Sequence, residues 1–412
     1  MKIIVQKFGG TSVKDEESRH RACEHIERAI NDGYKVVTVV SAMGRKGAPY
    51  ATDTLLSLVE PSHLSRREQD LLLSCGETIS SVVFSNMLLE KGVKATAFTG
   101  AKAGFRTNSD FNNAKIVEMQ CEELLESLKI HDVVVVAGFQ GASPKGDITT
   151  LGRGGSDTSA AALGAAIGAE WVDIFTDVDG VMTADPRIVE NARPLSVVTY
   201  NEICNLAYQG AKVIHPRAVE IAMQAKIPLR IRSTYSQAPG TLVTSIVKGK
   251  RGIDVNERLI TGIAHVKGVS QITVEAKDGH YDIQAEVFKA MAQEEISVDF
   301  INISPSAVTY TVMDVVTERA IRILEGLGYE PKVIRDCAKV SAVGAGMTGV
   351  PGVTAKIVNA LSNEGVSILQ SADSHTTIWV LVKEVEMVLA VNALHQAFQL
   401  EKDIEVVEHP LH

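Results

Sequence analysis

The first 176 residues alternate short apolar runs with helical patterns. The apolar runs cover residues 3–8, 35–42, 132–139 and 171–176, and the helical patterns cover residues 15–31, 66–90 and 156–168. This alternation predicts a mostly parallel sheet with helices on both faces. The run DVVVVAGF is apolar without alternation, as is typical of a strand buried on both sides. We therefore predict an α/β domain with three layers.

A polar zone marked by Gly and Pro follows the strand pattern PLRIRST, and it contains SQAPGT and then KGKRG at residues 248–252. Such composition is typical of a domain boundary. We predict a first domain over residues 1–245 and a linker over residues 246–258.

The remaining chain contains an internal repeat with an offset of 70 residues. AEVFKAMAQEEISVDF (285–300) lies over AKIVNALSNEGVSILQ (355–370) without a gap. The matched apolar pairs are Val287 and Ile357, Phe288 and Val358, Ala290 and Ala360, Met291 and Leu361, Ile296 and Val366, and Val298 and Ile368. Each copy reads as strand, helix, strand and strand, so two small α/β modules are predicted over residues 259–335 and 336–412, with exchange of terminal strands allowed.

Composition limits the classes of function. The 412 residues carry a formal charge of −9, which is not the basic footprint of a nucleic-acid binder. No apolar run approaches the roughly 20 residues of a membrane span. Five cysteines, odd in number and without a CxxC pair, favour thiols in a reducing cytosol: Cys23, Cys75, Cys121, Cys204 and Cys337. We predict a soluble cytoplasmic protein.

The stretch KFGGTS joins the end of the first strand to the first helix. Gly9 and Gly10 would let backbone N–H groups approach an anion, and Lys7 would add a positive charge. The alternative is a glycine turn in which Thr11 or Ser12 caps the helix. This stretch alone leaves both interpretations open.

A second glycine-rich stretch, LGRGGSDTS, opens the helix predicted near residue 156. Gly152, Gly154 and Gly155 free the loop, and Ser156 is expected to cap the helix. An acid in the first turn stabilises a helix, so Asp157 has a structural explanation. Arg153 does not, because a helix N-terminus gains nothing from a cation. Its guanidinium suits a carboxylate or a phosphate.

A third segment, TDVDGVMTADPR, follows the strand WVDIF and carries Asp177, Asp179, Asp185 and Arg187. These carboxylates favour a metal or nucleotide site at the sheet's edge, or simple acidic turns. No segment fits a P-loop. VGAGMTG at residues 343–349 matches the dinucleotide fingerprint, but the repeat carries Val274 and Ala276 in place of its first two glycines, and too little chain follows to complete a sheet.

Taken in order, KFGGTS, VVSAMG, AGFQG, TTLGRGGSDT, TDVDGVMTADPR and GAKVIHPRA closely resemble the aspartate kinases of the amino acid kinase superfamily. The resemblance covers nearly the whole chain. The C-terminal repeat resembles the ACT modules with which such enzymes sense amino acids. It implies a three-layer amino acid kinase domain with a mostly parallel sheet, followed by two ferredoxin-like ACT modules.

The resemblance also implies roles for individual residues. Lys7 and Asp157 would be catalytic, with Asp157 orienting the two lysines Lys7 and Lys212. The substrate would be bound by Ser41, Thr52, Glu77, Arg153, Gly155 and Ser156, with Glu77 on the α-ammonium and Arg153 on the α-carboxylate. ATP would be bound by Lys7, Phe8, Gly9, Gly10, Thr176, Asp177, Asp185, Pro186, Arg187 and Lys212. No protein metal site is implied.

The implied reaction is phosphorylation of the L-aspartate β-carboxylate by ATP with Mg²⁺, which gives 4-phospho-L-aspartate. This is the first step towards lysine, diaminopimelate, threonine and methionine. The β-carboxylate is already ionised at pH 7, so cations are needed more than a general base. No tightly bound cofactor is implied. The alternatives are another carboxylate kinase of the superfamily and a catalytically dead amino-acid sensor, although the latter should have lost Lys7, Asp157 or Lys212.

The chain departs from many relatives at two places. RKGAPYATD (45–53) is longer than the usual link, which weakens the transfer of a role to Thr52. DGHYDIQAEVF in the first module lacks a Pro-Gly that the second copy keeps in VPGVTAKI. The nearest resemblance is then to the diaminopimelate-sensitive bacillus-type isozyme. No methionine lies between Met223 and Met291 to start a separate regulatory subunit, so a homo-oligomer through ACT strands is predicted.

Overall fold

The computed structural model describes residues 1–211, 213–245, 259–276, 282–345, 347 and 350–402. They form two compact units. The first unit comprises Met1–Val181, Pro194–Tyr208 and Lys212–Gly252, and the second comprises Met182–Arg193, Gln209–Ala211 and Ile253–His412. Two short segments that the sequence assigned to the first domain, 182–193 and 209–211, thus group with the second unit. The predicted linker, 246–258, lies outside the described residues.

The first unit is built on an eight-stranded sheet. The strands of the unit, which include four that form a separate small sheet, are β1 (Ile3–Phe8), β2 (Lys35–Val40), β3 (Ala95–Phe98), β4 (Phe105–Thr107), β5 (Ile116–Met119), β6 (Val133–Ala137), β7 (Gln140–Ala142), β8 (Ile148–Thr150), β9 (Val172–Thr176), β10 (Val197–Thr199), β11 (Leu229–Ser233) and β12 (Thr241–Thr244). The large sheet has the order β10-β12-β11-β9-β1-β2-β6-β3, and only the β11–β12 pair is antiparallel. The predicted mostly parallel sheet is confirmed.

Helices cover both faces of this sheet. They are α1 (Glu16–Asn31), α2 (Thr52–Leu56), α3 (Arg66–Glu90), α4 (Glu122–Ile130), α5 (Gly155–Ile167), α6 (Tyr200–Tyr208) and α7 (Pro216–Ala225). α5 lies on the face of Val5 and Val172, so closely that a Cβ on Gly164 would sit 2.4 Å from the Val172 side chain. α1 and α3 pack on the opposite face, against Ile4 and Phe8. The three predicted layers are therefore present.

The long predicted elements of the first unit are all found, because their apolar patterns are strong. α1 buries Ala22, Cys23, Ile26 and Ala29 along one stripe, and Asp15 caps it by accepting a hydrogen bond from the Ser18 N–H at 2.8 Å. The sequence did not predict the small second sheet, whose order is β5-β4-β7-β8. Strands of three or four residues are too short to show a periodic pattern.

Among the described helices, α3 alone is long and apolar enough to cross a membrane. Its most apolar stretch is 56% buried inside the structure, and α3 packs against β3, β6 and β8. The helix also carries two fully or almost fully buried carboxyl groups, Asp70 and Glu77. Packing within the first unit thus accounts for its apolar character.

The second unit holds one antiparallel sheet with helices. Its elements are β13 (Gly262–Glu275), α8 (Ile283–Gln293), β14 (Asp299–Ser304), β15 (Ala307–Met313), α9 (Asp314–Gly326), β16 (Lys332–Val343), α10 (Val353–Asn363), β17 (Gln370–Asp373), β18 (Thr377–Lys383) and α11 (Met387–Ala397). The strand order is β14-β15-β13-β16-β18-β17. The predicted repeat of strand, helix, strand and strand is confirmed. The long strands β13 and β16 pair along most of their length and join both modules in one sheet.

Candidate active site

Five neighbouring parallel strands, β11, β9, β1, β2 and β6, end side by side at the carboxyl edge of the large sheet. The Ser41 N–H donates to the Phe8 carbonyl at 3.1 Å, and the Gly138 N–H donates to the Val40 carbonyl at 3.0 Å. On the other side of β9, the Thr234 N–H donates to the Thr176 carbonyl at 2.9 Å. In open α/β sheets, ligands bind in the crevice outside this edge.

A lysine and an aspartate form an ion pair at this edge. Lys7 Nζ lies 2.7 Å from Asp157 Oδ1, and each side chain is only 12% exposed. Lys7 comes from the end of β1, and Asp157 comes from the first turn of α5, which covers the same face. The other oxygen, Asp157 Oδ2, accepts a hydrogen bond from the His215 backbone N–H at 3.2 Å. The structure therefore holds a cation in place beside a helix N-terminus.

The two glycines after Lys7 allow close approaches of the backbone. A Cβ on Gly10 would lie 2.6 Å from the Gly44 carbonyl oxygen, so no larger residue fits. A Cβ on Gly9 would lie 3.3 Å from Lys7 Nζ, so a larger residue at this position would crowd the ammonium group. The competing idea that Thr11 or Ser12 caps α1 is wrong, because the cap is Asp15 and the segment Gly10–Ser12 forms a 3-10 turn.

The loop before α5 depends on left-handed glycines. Gly152 and Gly154 have φ of 74° and 68°, and a Cβ on Gly154 would collide with the His215 ring at about 2.1 Å. Gly154 is the N-cap of α5 and no side chain caps it, so the expected capping by Ser156 is wrong. Ser156 is buried in the first turn, next to Gly155. Arg153 is exposed and has no hydrogen bond or ion pair within the described residues.

Three residues that the sequence did not single out hold this loop. Asp70 is fully buried and accepts hydrogen bonds from the Thr150 N–H at 2.8 Å and from Thr150 Oγ1 at 2.6 Å. Arg217 donates to the Leu151 carbonyl at 2.9 Å. The His215 backbone N–H donates to Asp157, and the His215 ring packs against Gly154. Only His215 and Arg217 lay in a recognised motif, GAKVIHPRA, and Asp70 had no sequence signal.

Glu77, on α3, is a buried carboxyl group. It is 3% exposed, and Oε1 accepts a hydrogen bond from the Ala42 N–H at 3.1 Å. Its other oxygen, Oε2, has no partner within the described part of the chain. Burial raises the pKa of Glu77 to about 8. A cation placed against Oε2 would restore the ionised form and satisfy the orphaned oxygen.

The remaining predicted residues of the first unit differ in what they offer. Phe8 is fully buried and its ring stacks on Phe175 with centroids 4.6 Å apart, so only its backbone faces the site. Ser41 follows β2 and Thr52 begins α2. Thr176 Oγ1 donates to Asp177 Oδ1 at 3.1 Å, and Arg45 reaches Asp177 Oδ2 at 3.2 Å. Lys212 lies outside the described residues.

Asp185, Pro186 and Arg187 belong to the second unit. The Arg187 guanidinium donates to both oxygens of Asp185, at 3.0 Å and 2.7 Å, and these hydrogen bonds lower the pKa of Asp185. No group of three or more potential His, Cys, Asp or Glu ligands occurs in the described ranges.

Comparisons with known proteins identify the class. The amino acid kinase family matches residues 2–233, and an ACT domain matches residues 332–396. Aspartokinase 1 of Bacillus subtilis is 70% identical over 98% of this chain and 100% of that protein. The aspartokinase of Mycolicibacterium smegmatis is 40% identical over 99% and 98% of the two chains. The crystal structure of E. coli aspartokinase III with aspartate and ADP superposes with a TM-score of 0.78 at 28% identity, over 96% and 99%.

The chain therefore belongs to the amino acid kinase family. Within that family it is an aspartokinase, as the order of its motifs predicted. The predicted fold, a kinase domain followed by an ACT region, is confirmed as well.

Proposed function

We propose that Lys7 neutralises the transferring phosphates when this aspartokinase phosphorylates the β-carboxylate of L-aspartate with ATP, and that Asp157 holds Lys7 in position. The observation that carries this proposal is the 2.7 Å ion pair at the carboxyl edge of the sheet. The acceptor and the phosphates are both anionic at pH 7, so their repulsion dominates the barrier. A fixed ammonium offsets it without any reorganisation during the reaction.

We assign the nucleotide phosphates to the loop that contains Gly9 and Gly10, where no Cβ obstructs the backbone. Lys212 would add a second cation, and Thr176 and Asp177 lie at the end of the adjacent strand. Mg²⁺ in such sites is held mainly by substrate phosphates with one or two carboxylates, and Asp177 is a carboxylate at this edge. Bound with the nucleotide, it would add positive charge to the phosphates.

We assign the aspartate amino acid group to Glu77 and Arg153. The unpartnered Glu77 Oε2 suits an α-ammonium, and the exposed, unpaired Arg153 suits an α-carboxylate. Ser41, Thr52, Gly155 and Ser156 stay proposed contacts of the substrate. Asp185, Pro186 and Arg187 stay proposed contacts of ATP.

Replacement of Lys7 tests the assignment of the phosphate cradle. We expect Lys7→Ala to lower kcat by roughly 100- to 1,000-fold, comparable to loss of one oxyanion donor. Lys35→Ala is a matched control, because Lys35 forms a 2.8 Å pair with Asp132 at the start of the neighbouring strand. Aspartyl hydroxamate formation measures both, with glutamate and acetylglutamate as alternative acceptors. Near-normal turnover of Lys7→Ala would refute the assignment.

The raised pKa of Glu77 makes a separate prediction for aspartate binding. The pKa of Glu77 in the free protein is about 8, so the carboxyl group is mostly protonated below pH 8. Because the α-ammonium of aspartate needs the ionised carboxylate, binding at such pH releases the Glu77 proton. The dissociation constant of aspartate should therefore rise up to about tenfold per pH unit as the pH falls below that value. Calorimetry on the wild type and on Glu77→Gln measures this. A Glu77→Gln variant with the same pH slope would contradict the role of Glu77.

We further propose that meso-diaminopimelate inhibits the enzyme through the ACT modules, residues 259–335 and 336–412, and that residues 1–245 are catalytic. The proposal is supported by the resemblance to the bacillus-type isozyme. Titration of activity with meso-diaminopimelate, lysine and threonine separately tests it. Inhibition by lysine alone at low concentration would overturn it.

A cytoplasmic homo-oligomer is the proposed form of the enzyme. The edge strand β14 exposes Ile301 and Ile303, at 48% and 54%, which would be covered by pairing with a second chain. Analytical ultracentrifugation of the full chain tests this. A monomer at micromolar concentration would contradict the oligomer.

A further inference from the structure

A cavity separate from the candidate active site lies in the first unit, on the α1 side of the large sheet. It has a volume of about 650 Å³ and is bounded by α1, β1, β10, β11 and β12. Its lining includes three arginines and two large aromatic side chains: Arg28, Arg230, Arg232, Trp171 and Tyr34. No role in the proposed reaction involves these residues.

The cavity lies across the sheet from the candidate active site. Gln6 and Lys7 are consecutive in β1, so their side chains point to opposite faces. Gln6 lines the cavity and donates to Asp173 at 3.4 Å, whereas Lys7 pairs with Asp157 under α5. A ligand in this cavity would thus be separate from the phosphate cradle.

The charges around the cavity favour an anion. Asp173 is fully buried and accepts two hydrogen bonds from Arg230, at 2.6 Å and 2.8 Å. Arg232 lies farther away, with Nη1 3.8 Å from the same carboxylate. His25 also lines the cavity, and burial lowers its pKa, which favours the neutral ring. Three guanidinium groups and one carboxylate, Asp32, therefore line the cavity. Asp173 pairs with Arg230 from behind this lining, and Glu170 accepts a hydrogen bond from the Tyr34 hydroxyl at 3.0 Å.

Several buried polar atoms at the cavity have no partner within the described part of the chain. They are Arg232 Nε, Trp171 Nε1 and Gln6 Oε1, and Gln6 is only 1% exposed. Buried polar groups in native proteins are normally satisfied, so each of these atoms calls for a partner. Arg232 Nε and Trp171 Nε1 are donors, and an oxyanion would accept hydrogen bonds from them. Gln6 Oε1 is an acceptor, and a hydroxyl group would donate to it.

We propose that this cavity binds a small oxyanion that also carries a hydroxyl group. Hydrogen phosphate and hydroxycarboxylates share this chemistry. The oxyanion would accept from the Arg232 fork and from the Trp171 indole, and its hydroxyl would donate to Gln6. Arg230 already lies over Trp171 at 4.3 Å and holds the indole ring in place.

Tryptophan fluorescence gives a direct test. The chain contains two tryptophans, so Trp379→Phe leaves Trp171 as the single reporter. In this background, potassium phosphate and potassium citrate should each change the emission saturably, with half-saturation at or below about 1 mM. Tighter binding of phosphate would indicate a phosphate as the ligand, and tighter binding of citrate would indicate a hydroxycarboxylate. Potassium chloride at equal ionic strength should have no effect. No saturable change with either salt would overturn the proposal.

Variants of the cavity separate it from other anion sites. Arg232→Met and Arg232→Lys should each weaken binding at least about tenfold, the latter because it keeps the charge but loses the fork. Arg21→Met, on the exposed part of α1 outside the cavity lining, should bind as before. Equal binding by Arg232→Lys and its parent would overturn the proposal. Binding that excess Mg–ADP and L-aspartate abolish would place the anion in the active site and overturn it too.

Discussion

The two copies of the internal repeat bury the same positions, in and just after the first helix of each copy, but complete their cores in different ways. Val287 and Ile357, Met291 and Leu361, and Ile296 and Val366 are matched pairs, and each residue is at most 5% exposed. Among the described residues, the buried core of the first module lies between Ile272 and Tyr329, and Val333 packs against it. The core of the second module also takes in Ala184 and Val189, from the segment 182–193.

Hydrogen bonds attach this segment to the second module. Thr183 Oγ1 lies 2.9 Å from His395 Nε2 on α11, and the Asn392 side chain donates to the Ile188 carbonyl at 3.2 Å. Arg193 Nε donates to the Leu400 carbonyl at 2.9 Å. The segment is therefore part of the module's structure rather than a loop laid over it.

The closing helices of the two modules explain the difference. α9 buries a single stripe, Thr317, Ala320 and Leu324. α11 buries a wider face, which consists of Met387, Ala390, Val391, Ala393, Leu394 and His395. A helix that is apolar over more than one stripe needs more than one partner. The same repeat can thus serve as a closed module or as a module that accepts an additional segment.

The largest effect is expected from cavities at one matched pair of core positions. Met291→Ala and Leu361→Ala should each lower the free energy of unfolding by about 2 to 5 kcal/mol, as measured by chemical denaturation. Hydrogen exchange should distinguish them, because only Leu361→Ala loosens the core that includes Ala184 and Val189. Equal protection of residues 182–193 in both variants would break the comparison.

A smaller effect is expected at the attachment of the segment. The Thr183 hydroxyl is 1% exposed and hydrogen-bonds with His395 and with the Arg193 N–H. Thr183→Val removes both hydrogen bonds and should lower the free energy of unfolding by about 1 to 3 kcal/mol. Thr317→Val is the control in α9, where a fully buried hydroxyl makes one long bond of 3.4 Å to the Met313 carbonyl. Thr317→Val should lower the free energy of unfolding by about 1 kcal/mol or less. Equal losses in denaturant titrations would contradict this account.

The smallest effect concerns the starts of the matched helices. α10 begins after Gly352, which has φ of 92°, and nothing lies within 4 Å of an added Cβ. Gly352→Ala should therefore cost about 1 to 2 kcal/mol through backbone strain alone. α8 begins after Asp282, whose side chain makes no capping bond, so Asp282→Ala should change stability by less than about 0.5 kcal/mol. Thermal unfolding of both variants measures the difference, and a larger loss for Asp282→Ala would reverse it.

Much of the candidate site was predictable because its residues lie in motifs with unusual chemistry. Lys7 and Asp157 are brought together as the resemblance implied, and Arg153 is left exposed and unpaired. Asp70 was not predictable, because a single acid within an apolar helix has no local signal. Its partners Thr150 and Asn112 are 80 and 42 residues away in the chain.

Phe139 shows how tertiary contacts override local preference. It has φ of 68°, which is unusual for an aromatic residue. The Phe139 N–H donates to Ser159 Oγ at 3.0 Å, and its carbonyl accepts from the Leu151 N–H at 2.8 Å. These contacts, together with the ring against Gly155, hold the backbone there.

The sequence by itself determined the alternation of strands and helices in the first unit, the repeat in the second and the class of kinase. These features depend on apolar periodicity and on motifs, both of which are local. Only the tertiary structure decided that residues 182–193 join the second unit, and that His215 closes over Gly154 and Asp157. Such contacts join residues far apart in the chain, where burial and close packing determine the arrangement and local pattern does not.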